Sequence, residues 1–149
     1  MKIWIILLAL LTTATPLFAA DGDAIVGVWN NQEKDAKIKL FRRGERYCGK
    51  IVQLKVPVYP AGATDGVPGT PKLDLNNPDP QRRKLPILGL EIVREFCYAG
   101  DSKFVDGEVY DPNNGKTYSG KITLVSQNQL DLRGFIGISL FGRTTTWTR

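Results

Sequence analysis

The 149-residue chain carries a net charge of +5, two cysteines, one methionine and no histidine. Without histidine, Ser-His-Asp and Cys-His nucleophilic machinery, an imidazole general base and His-ligated zinc are all excluded. Two cysteines are also too few for a thiolate zinc site. Fifteen of the first 20 residues are apolar, with Lys2 ahead of the run Ile3–Leu11 and Pro16, Ala19 and Ala20 behind it. That run is shorter than the ~20 residues that span a bilayer, and the segment reads as a secretory signal peptide over residues 1–20. Residues 21–149 are expected to be one exported, periplasmic or secreted domain with a single core, not integral to the membrane after processing.

Along that domain, apolar residues recur at the two-residue period of half-buried strands. A short piece, Ile25–Trp29, comes first, and Lys37-Ile38-Lys39-Leu40 alternates after it. Arg42-Arg43-Gly44-Glu45 turns the chain, and Tyr47–Leu54 continues as a strand with Ile51 and Val52. Leu90, Ile92 and Phe96 share one face of a strand reaching about Tyr98. Ala99-Gly100-Asp101-Ser102 is a turn, and Val105 and Val109 mark the next strand. Asp111-Pro112-Asn113-Asn114-Gly115 is the strongest turn signal, since Pro fixes φ and Asn-Gly tolerates positive φ. Tyr118, Ile122 and Leu124 then alternate, Gln127-Asn128 turns, Leu130 and Leu132 alternate again, and Thr144–Thr148 is rich in strand formers. No helical period of useful length occurs, and Ile136–Phe141 has room for one helical turn. About eight sequential strands with short turns predict an all-β, antiparallel up-and-down barrel.

The expected interior is Ile38, Leu40, Val52, Ile92, Phe96, Val105, Val109, Tyr118, Ile122, Leu124, Leu130, Leu132 and Trp147. Its composition suits either a packed core or a pocket for an apolar chain. One segment breaks the rhythm: seven prolines fall between Pro57 and Pro86, with Gly62, Gly66 and Gly69 among them. So long a connection is either a binding loop at the barrel entrance or a slack linker.

Several motifs fall in a specific order. They are Asn77-Pro78-Asp79-Pro80, Leu85-Pro86-Ile87-Leu88-Gly89-Leu90, Tyr110–Ser119, Arg133-Gly134-Phe135-Ile136-Gly137 and Leu140–Trp147. Together they resemble the uncharacterised exported bacterial proteins grouped as domain of unknown function 2147, from Gly27 to Arg149. The resemblance implies a small lipocalin-like (calycin-like) barrel behind a signal peptide, with no established activity or catalytic residues. Gly27-Val28-Trp29 also resembles the Gly-x-Trp that opens the first lipocalin strand. That likeness implies that Trp29 closes one barrel end beneath a basic residue of the last strand, Arg143 or Arg149, by cation–π contact. Many members of the uncharacterised family carry two nearby cysteines around the first hairpin; here Arg42 or Arg43 occupies the upstream position, leaving Cys48 to find another partner.

Candidate chemistry is sparse. Cys48 and Cys97 either form a disulfide in an oxidising compartment or stand apart as small buried residues. Asp74-Leu75-Asn76-Asn77-Pro78-Asp79 lacks the glycine and distal glutamate of a calcium loop and reads as a turn, so no metal and no cofactor is expected. Paired carboxylates drawn from Glu91, Glu95, Asp106, Glu108 and Asp131 are the one catalytic class left open, as a hydrolase, although alternation turns Glu91, Glu95 and Asp131 towards solvent. Eight basic residues between Lys34 and Lys55 face only Asp35 and Glu45, and Arg82-Arg83-Lys84 adds a second group. Such a surface is first of all a solvated hairpin that keeps the protein soluble. As a binding surface in an exported protein it suits an anionic envelope component rather than nucleic acid. The expected function is therefore non-enzymatic binding of a small apolar or amphipathic, lipid-like ligand, with Trp29, Phe96, Tyr118 and Trp147 as aromatic lining. The alternative is an envelope interaction protein with a filled barrel, working through the basic hairpin and the Pro-rich loop.

Overall fold

The computed structural model describes residues 21–149, so the expected signal peptide lies outside the described residues. Eight strands succeed one another: β1 (Gly27–Asn30), β2 (Ala36–Arg43), β3 (Arg46–Leu54), β4 (Glu91–Gly100), β5 (Lys103–Asp111), β6 (Lys116–Ser126), β7 (Gln129–Phe135) and β8 (Arg143–Thr148). Each pairs antiparallel with the next and β8 returns to β1, which makes a closed up-and-down barrel with no free edge. The turns form where Gly, Asn and Asp allow them. Asp101 and Ser102 both take positive φ, 49° and 59°, between Gly100 and Lys103, the left-handed pair whose twist matches a two-residue hairpin. The Asp111–Gly115 turn closes with the Gly115 amide donating to the Asp111 carbonyl over 2.8 Å.

Three strands change parity on the way, β3 at Val52, β4 at Glu95 and β5 at Asp106, and this alters which side chains enter. Glu95 and Asp106 sit at φ 55° and 58° in bulges of β4 and β5. Ahead of its bulge, β5 points Phe104 inward rather than Val105, which is only half-buried, and past the bulge Gly107 faces in. In β3 the buried series is Tyr47, Gly49 and Ile51, and Val52 is exposed. The expected interior places of Val52 and Val105 therefore belong to Ile51 and Phe104. Each substitution has one cause, a frame shift of one residue on a period-two element.

The half of the barrel that holds the β4–β5 and β6–β7 turns is packed solid. Phe96 is fully buried and lies across the interior against Gly107 and Gly120, where a Cβ at either glycine would overlap its ring. Phe104 receives the edge of Tyr47 at 5.0 Å and a tilted Tyr98 at 5.1 Å. A 3-10 turn, Asp21–Ile25, covers this end: Ile25 is fully buried, and the Tyr47 hydroxyl donates to Asp23 over 2.8 Å.

Closure itself is thin. β1 and β8 share one register pair, Asn30 with Thr148. Arg149 reinforces that seam by donating to the carbonyls of Ala24 (3.0 Å), Val26 (3.1 Å) and Gln127 (2.6 Å). Its guanidinium also lies 4.2 Å from the ring of Trp29, whose indole N–H donates to the Ile25 carbonyl over 2.8 Å. Charge-assisted hydrogen bonds and a cation–π contact act together here. Replacing Arg149 with Ala should cost about 2 kcal/mol in urea denaturation, and Arg149→Lys should recover less than half of it, because an ammonium cannot reproduce the planar fork.

Candidate functional site

The other half of the barrel is open. A cavity of about 640 Å³ occupies it, reaching from the barrel interior to the end that bears the β1–β2 and β5–β6 turns. Its walls come from successive strands: Ile38 of β2, Ile51 of β3, Ile92 of β4 and Val109 of β5. Tyr118 of β6, Leu132 of β7 and Trp147 of β8 complete the ring. The wall is apolar, and its volume falls in the usual range for a small-molecule site. Packed core and pocket, alternatives on composition alone, thus coexist at different heights.

The rim is polar. Asn31, Glu33 and Asp35 come from the β1–β2 turn and Asp111, Asn113 and Asn114 from the β5–β6 turn. Asn31 Nδ2 donates to Asp35 at 2.6 Å and to Glu33 at 3.3 Å, and Asp111 Oδ1 accepts the Asn113 amide at 2.9 Å, so these acids hold turns together. Lys55, Lys72 and Arg143 also reach the rim, and among the described residues none has a carboxylate within 4.0 Å.

Of the four aromatic residues expected as lining, Tyr118 and Trp147 face the cavity. Trp29 and Phe96 do not: both are at 0% exposure in the packed half, held there by the floor turn and by the glycines opposite. Arg149 is the residue over Trp29, and Arg143 stands at the opposite end, on the cavity rim. The aliphatic wall residues Ile51, Ile87 and Leu54 were missed, although Ile51 was legible as one of two adjacent apolar positions.

The Pro-rich connection is a built structure beside the mouth, to which it contributes Lys72 and Ile87. It carries two isolated bridges, Val58 with Pro71 and Leu73 with Pro86, and its own buried residue, Tyr59, packed under Gly66. Asp74 anchors it. That fully buried carboxylate accepts the Tyr110 hydroxyl at 2.7 Å and Asn77 Nδ2 at 2.7 Å. Asn76 Nδ2 donates to the carbonyls of Pro112 and Asn113, both at 3.0 Å, which ties the segment to the β5–β6 turn. Of the two carboxylates in the stretch read as a turn rather than a calcium loop, Asp74 is engaged in these bonds, while Asp79 accepts the Gln81 amide at 3.0 Å and pairs with Arg82.

A second cluster lies on the outer wall. Arg43 donates to Glu91 at 2.6 Å and 3.1 Å and to Glu95 at 3.4 Å, and Cys48 Sγ stands 3.5 Å from Glu95. The ligand atoms of Cys48, Glu91 and Glu95 lie within 4.8 Å of one another. Arg43 pairs with both carboxylates, its single charge balancing one of the two, and burial pushes the Cys48 thiol above its ordinary value, so these groups are already engaged in an ion-pair cluster beside the thiol. The disulfide is not formed. Register sets Arg46 opposite Cys97, and Cys97 Sγ contacts the Arg46 guanidinium while Cys48 faces Glu95. Asp131 accepts Thr146 Oγ1 at 2.8 Å, Asp106 and Glu108 are exposed, and none of the five carboxylates weighed as a catalytic pair lines the cavity. Arg42 pairs with Asp23 and Glu45, so part of the basic hairpin is neutralised by its own neighbours. No helix among the described residues is long and apolar enough to cross a membrane.

Comparison with known proteins agrees with this geometry. The family described as "Uncharacterized protein conserved in bacteria (DUF2147)" matches residues 27–149. No curated protein matches the sequence. Among solved structures, protein HP1028 of Helicobacter pylori, described as belonging to the lipocalin family, superposes with a TM-score of 0.68. The match has 21% sequence identity and covers 83% of this chain and 81% of the other. At that identity the likeness establishes a shared lipocalin-type fold.

Two buried phenols make the site and the floor sensitive to alkali. Tyr110 is pushed up to about 12 by burial and by its bond to Asp74, and Tyr47 to about 12 by burial and by its bond to Asp23. A tyrosine in the unfolded chain ionises near ~10. Their contribution is therefore complete below pH ~10 and lost as pH rises towards ~12, because there the unfolded chain releases protons that the folded chain keeps. Thermal unfolding followed across that window should show a steep fall in Tm, with a shallower fall in the Tyr47→Phe/Tyr110→Phe variant.

Proposed function

The chain belongs to the DUF2147 family of proteins conserved in bacteria, and we propose that it is a non-enzymatic carrier of a small apolar or amphipathic, lipid-like molecule. The observation that carries this reading is the half-empty barrel: a cavity of about 640 Å³ walled by aliphatic and aromatic side chains from seven strands, beneath a polar rim. Such a chamber holds a hydrocarbon chain by area removed from water and leaves a polar end group at the mouth. The open half also favours a carrier over a filled scaffold. The leader-like residues 1–20 support export, and a carrier so exported works in the periplasm or outside the cell.

Tyr118 and Trp147 give the chain its aromatic contacts, and Leu132, on the strand between theirs, lines the same cavity. Titration with cis-parinaric acid should give saturable fluorescence, and Leu132→Trp, which fills the chamber, should weaken binding by about tenfold. Phe96→Leu, a change within the packed half, should lower stability and leave the probe affinity intact. Absence of saturable binding, together with a native mass spectrum of envelope-purified protein that organic extraction leaves unchanged, would refute the carrier.

Because the chain has no histidine, nothing in it titrates as imidazole. Probe affinity should therefore stay level between pH ~6 and ~8. A change of tenfold or more across that range would mean that a group with a strongly displaced pKa takes part in binding.

A further inference from the structure

The connection between β7 and β8 is the most apolar stretch of surface among the described residues. Ile136 is 67% exposed, Ile138 58%, Leu140 77% and Phe141 80%. Surface hydrophobes usually stand singly, so four within six residues mark a contact surface. The segment is held in shape. Arg133 Nε donates to the Ser139 carbonyl at 2.8 Å, Nη2 to the Leu140 carbonyl at 3.2 Å and Nη1 to Thr144 Oγ1 at 2.9 Å. Ser139–Phe141 closes as a 3-10 turn on this guanidinium, which leaves Leu140 and Phe141 in solvent.

The base of this tip is cationic. Arg133 and Arg143 have no carboxylate within 4.0 Å among the described residues, and from Leu132 to Arg149 there is no Asp or Glu. Lys121, the register partner of Arg133, lies with its ammonium 5.8 Å from the Phe135 ring. Gly134 and Arg143, from which the tip springs, both line the cavity rim.

We propose that residues 136–141 insert into the headgroup region of an anionic phospholipid bilayer and dock the barrel there with its mouth beside the membrane. A short convex tip of aliphatic and aromatic side chains above unpaired arginines matches an interface that is apolar within and phosphate-lined at its edge. A protein partner fits less well, because a tip of six residues, 136–141, falls short of the ~20 residues a side that a stable interface uses. A second copy would also bring arginines against arginines. The docking stands whether or not the cavity holds a ligand.

The test uses protein processed by the expressing cell, with its N-terminus verified by mass so that no leader contributes. Phe141→Trp should shift its emission to the blue on vesicles of phosphatidylglycerol and phosphatidylethanolamine, measured against the parent whose Trp29 and Trp147 are buried. Brominated acyl chains should quench that emission, and vesicles of phosphatidylcholine alone should leave it unchanged. The Leu140→Asp/Phe141→Asp variant, both positions being exposed, should keep the parent Tm and parinaric acid affinity yet partition to anionic vesicles about tenfold less. Arg143→Ser should weaken binding and flatten its dependence on salt up to about 0.5 M. Unchanged vesicle binding by the double variant, or an unshifted F141W spectrum, would overturn the proposal. So would a dimer in sedimentation velocity that the double variant abolishes, since the tip would then be a contact between copies.

Discussion

A barrel of eight strands stands or falls with the seam where its first and last strands meet, and here that seam is one register pair reinforced by side chains, Arg149 above all. Arg149 reaches across to the carbonyls that precede β1 and rests on Trp29, while Trp29 is held by the floor turn. Backbone pairing alone would leave β1 and β8 as two exposed edges. Stacked and hydrogen-bonded, one guanidinium joins them and seals the same end, so closure of the wall and closure of the floor are one interaction. The open chamber at the far end depends on it, because a chamber needs a continuous wall and a closed bottom.

Where the chamber stops is decided by glycine. At Gly49, Gly107 and Gly120 the missing Cβ leaves room for Leu40 and for the ring of Phe96, and the interior at that height fills. Nearer the mouth the inward residues are Ile38, Ile51, Ile92 and Val109, which reach less far and leave space. An eight-stranded barrel is just wide enough for either outcome, so the distribution of aromatic and glycine positions along the axis sets the depth of the cavity. The Pro-rich connection completes the rim through Asp74, a buried carboxylate whose donors, Tyr110 and Asn77, come from the barrel and from the loop itself. A buried charge is tolerated there because charge-assisted bonds replace water.

Charge on the outer wall is distributed differently from its arrangement along the chain. The run from Lys34 to Lys55 is strongly basic as a string, yet Arg42 and Arg43 are paired with Asp23, Glu45, Glu91 and Glu95. The acids come from the floor turn, from the hairpin itself and from β4, and a linear count cannot see most of them. Arg133 and Arg143, isolated in the sequence, stay unpaired with any carboxylate of the described residues, beside an exposed apolar tip. Surface ion pairs of this kind contribute little to stability, but they decide which cations remain free for a partner.

Strand number, order and turns were legible in the residues, because alternation and the Gly, Asn and Asp clusters are local signals that the fold obeys. Eight strands, their antiparallel order and the helical turn near Ile136–Phe141 all derive from them. Parity was less legible: the bulges at Glu95 and Asp106 shift the frame by one residue, Glu is no marker of a positive φ, and Asp106, which tolerates one, stands in mid-strand without a turn cluster around it. Lining residues were legible by half. Trp29, Phe96, Tyr118 and Trp147 are alike as apolar aromatics, and only their height in the barrel separates floor from wall. Composition and a period of two were enough to specify a closed β architecture without imidazole chemistry, since both are properties of the linear chain. The separation of the thiols, the partner of Trp29 and the emptiness of one half arose only on folding, because each depends on register between strands far apart in the chain.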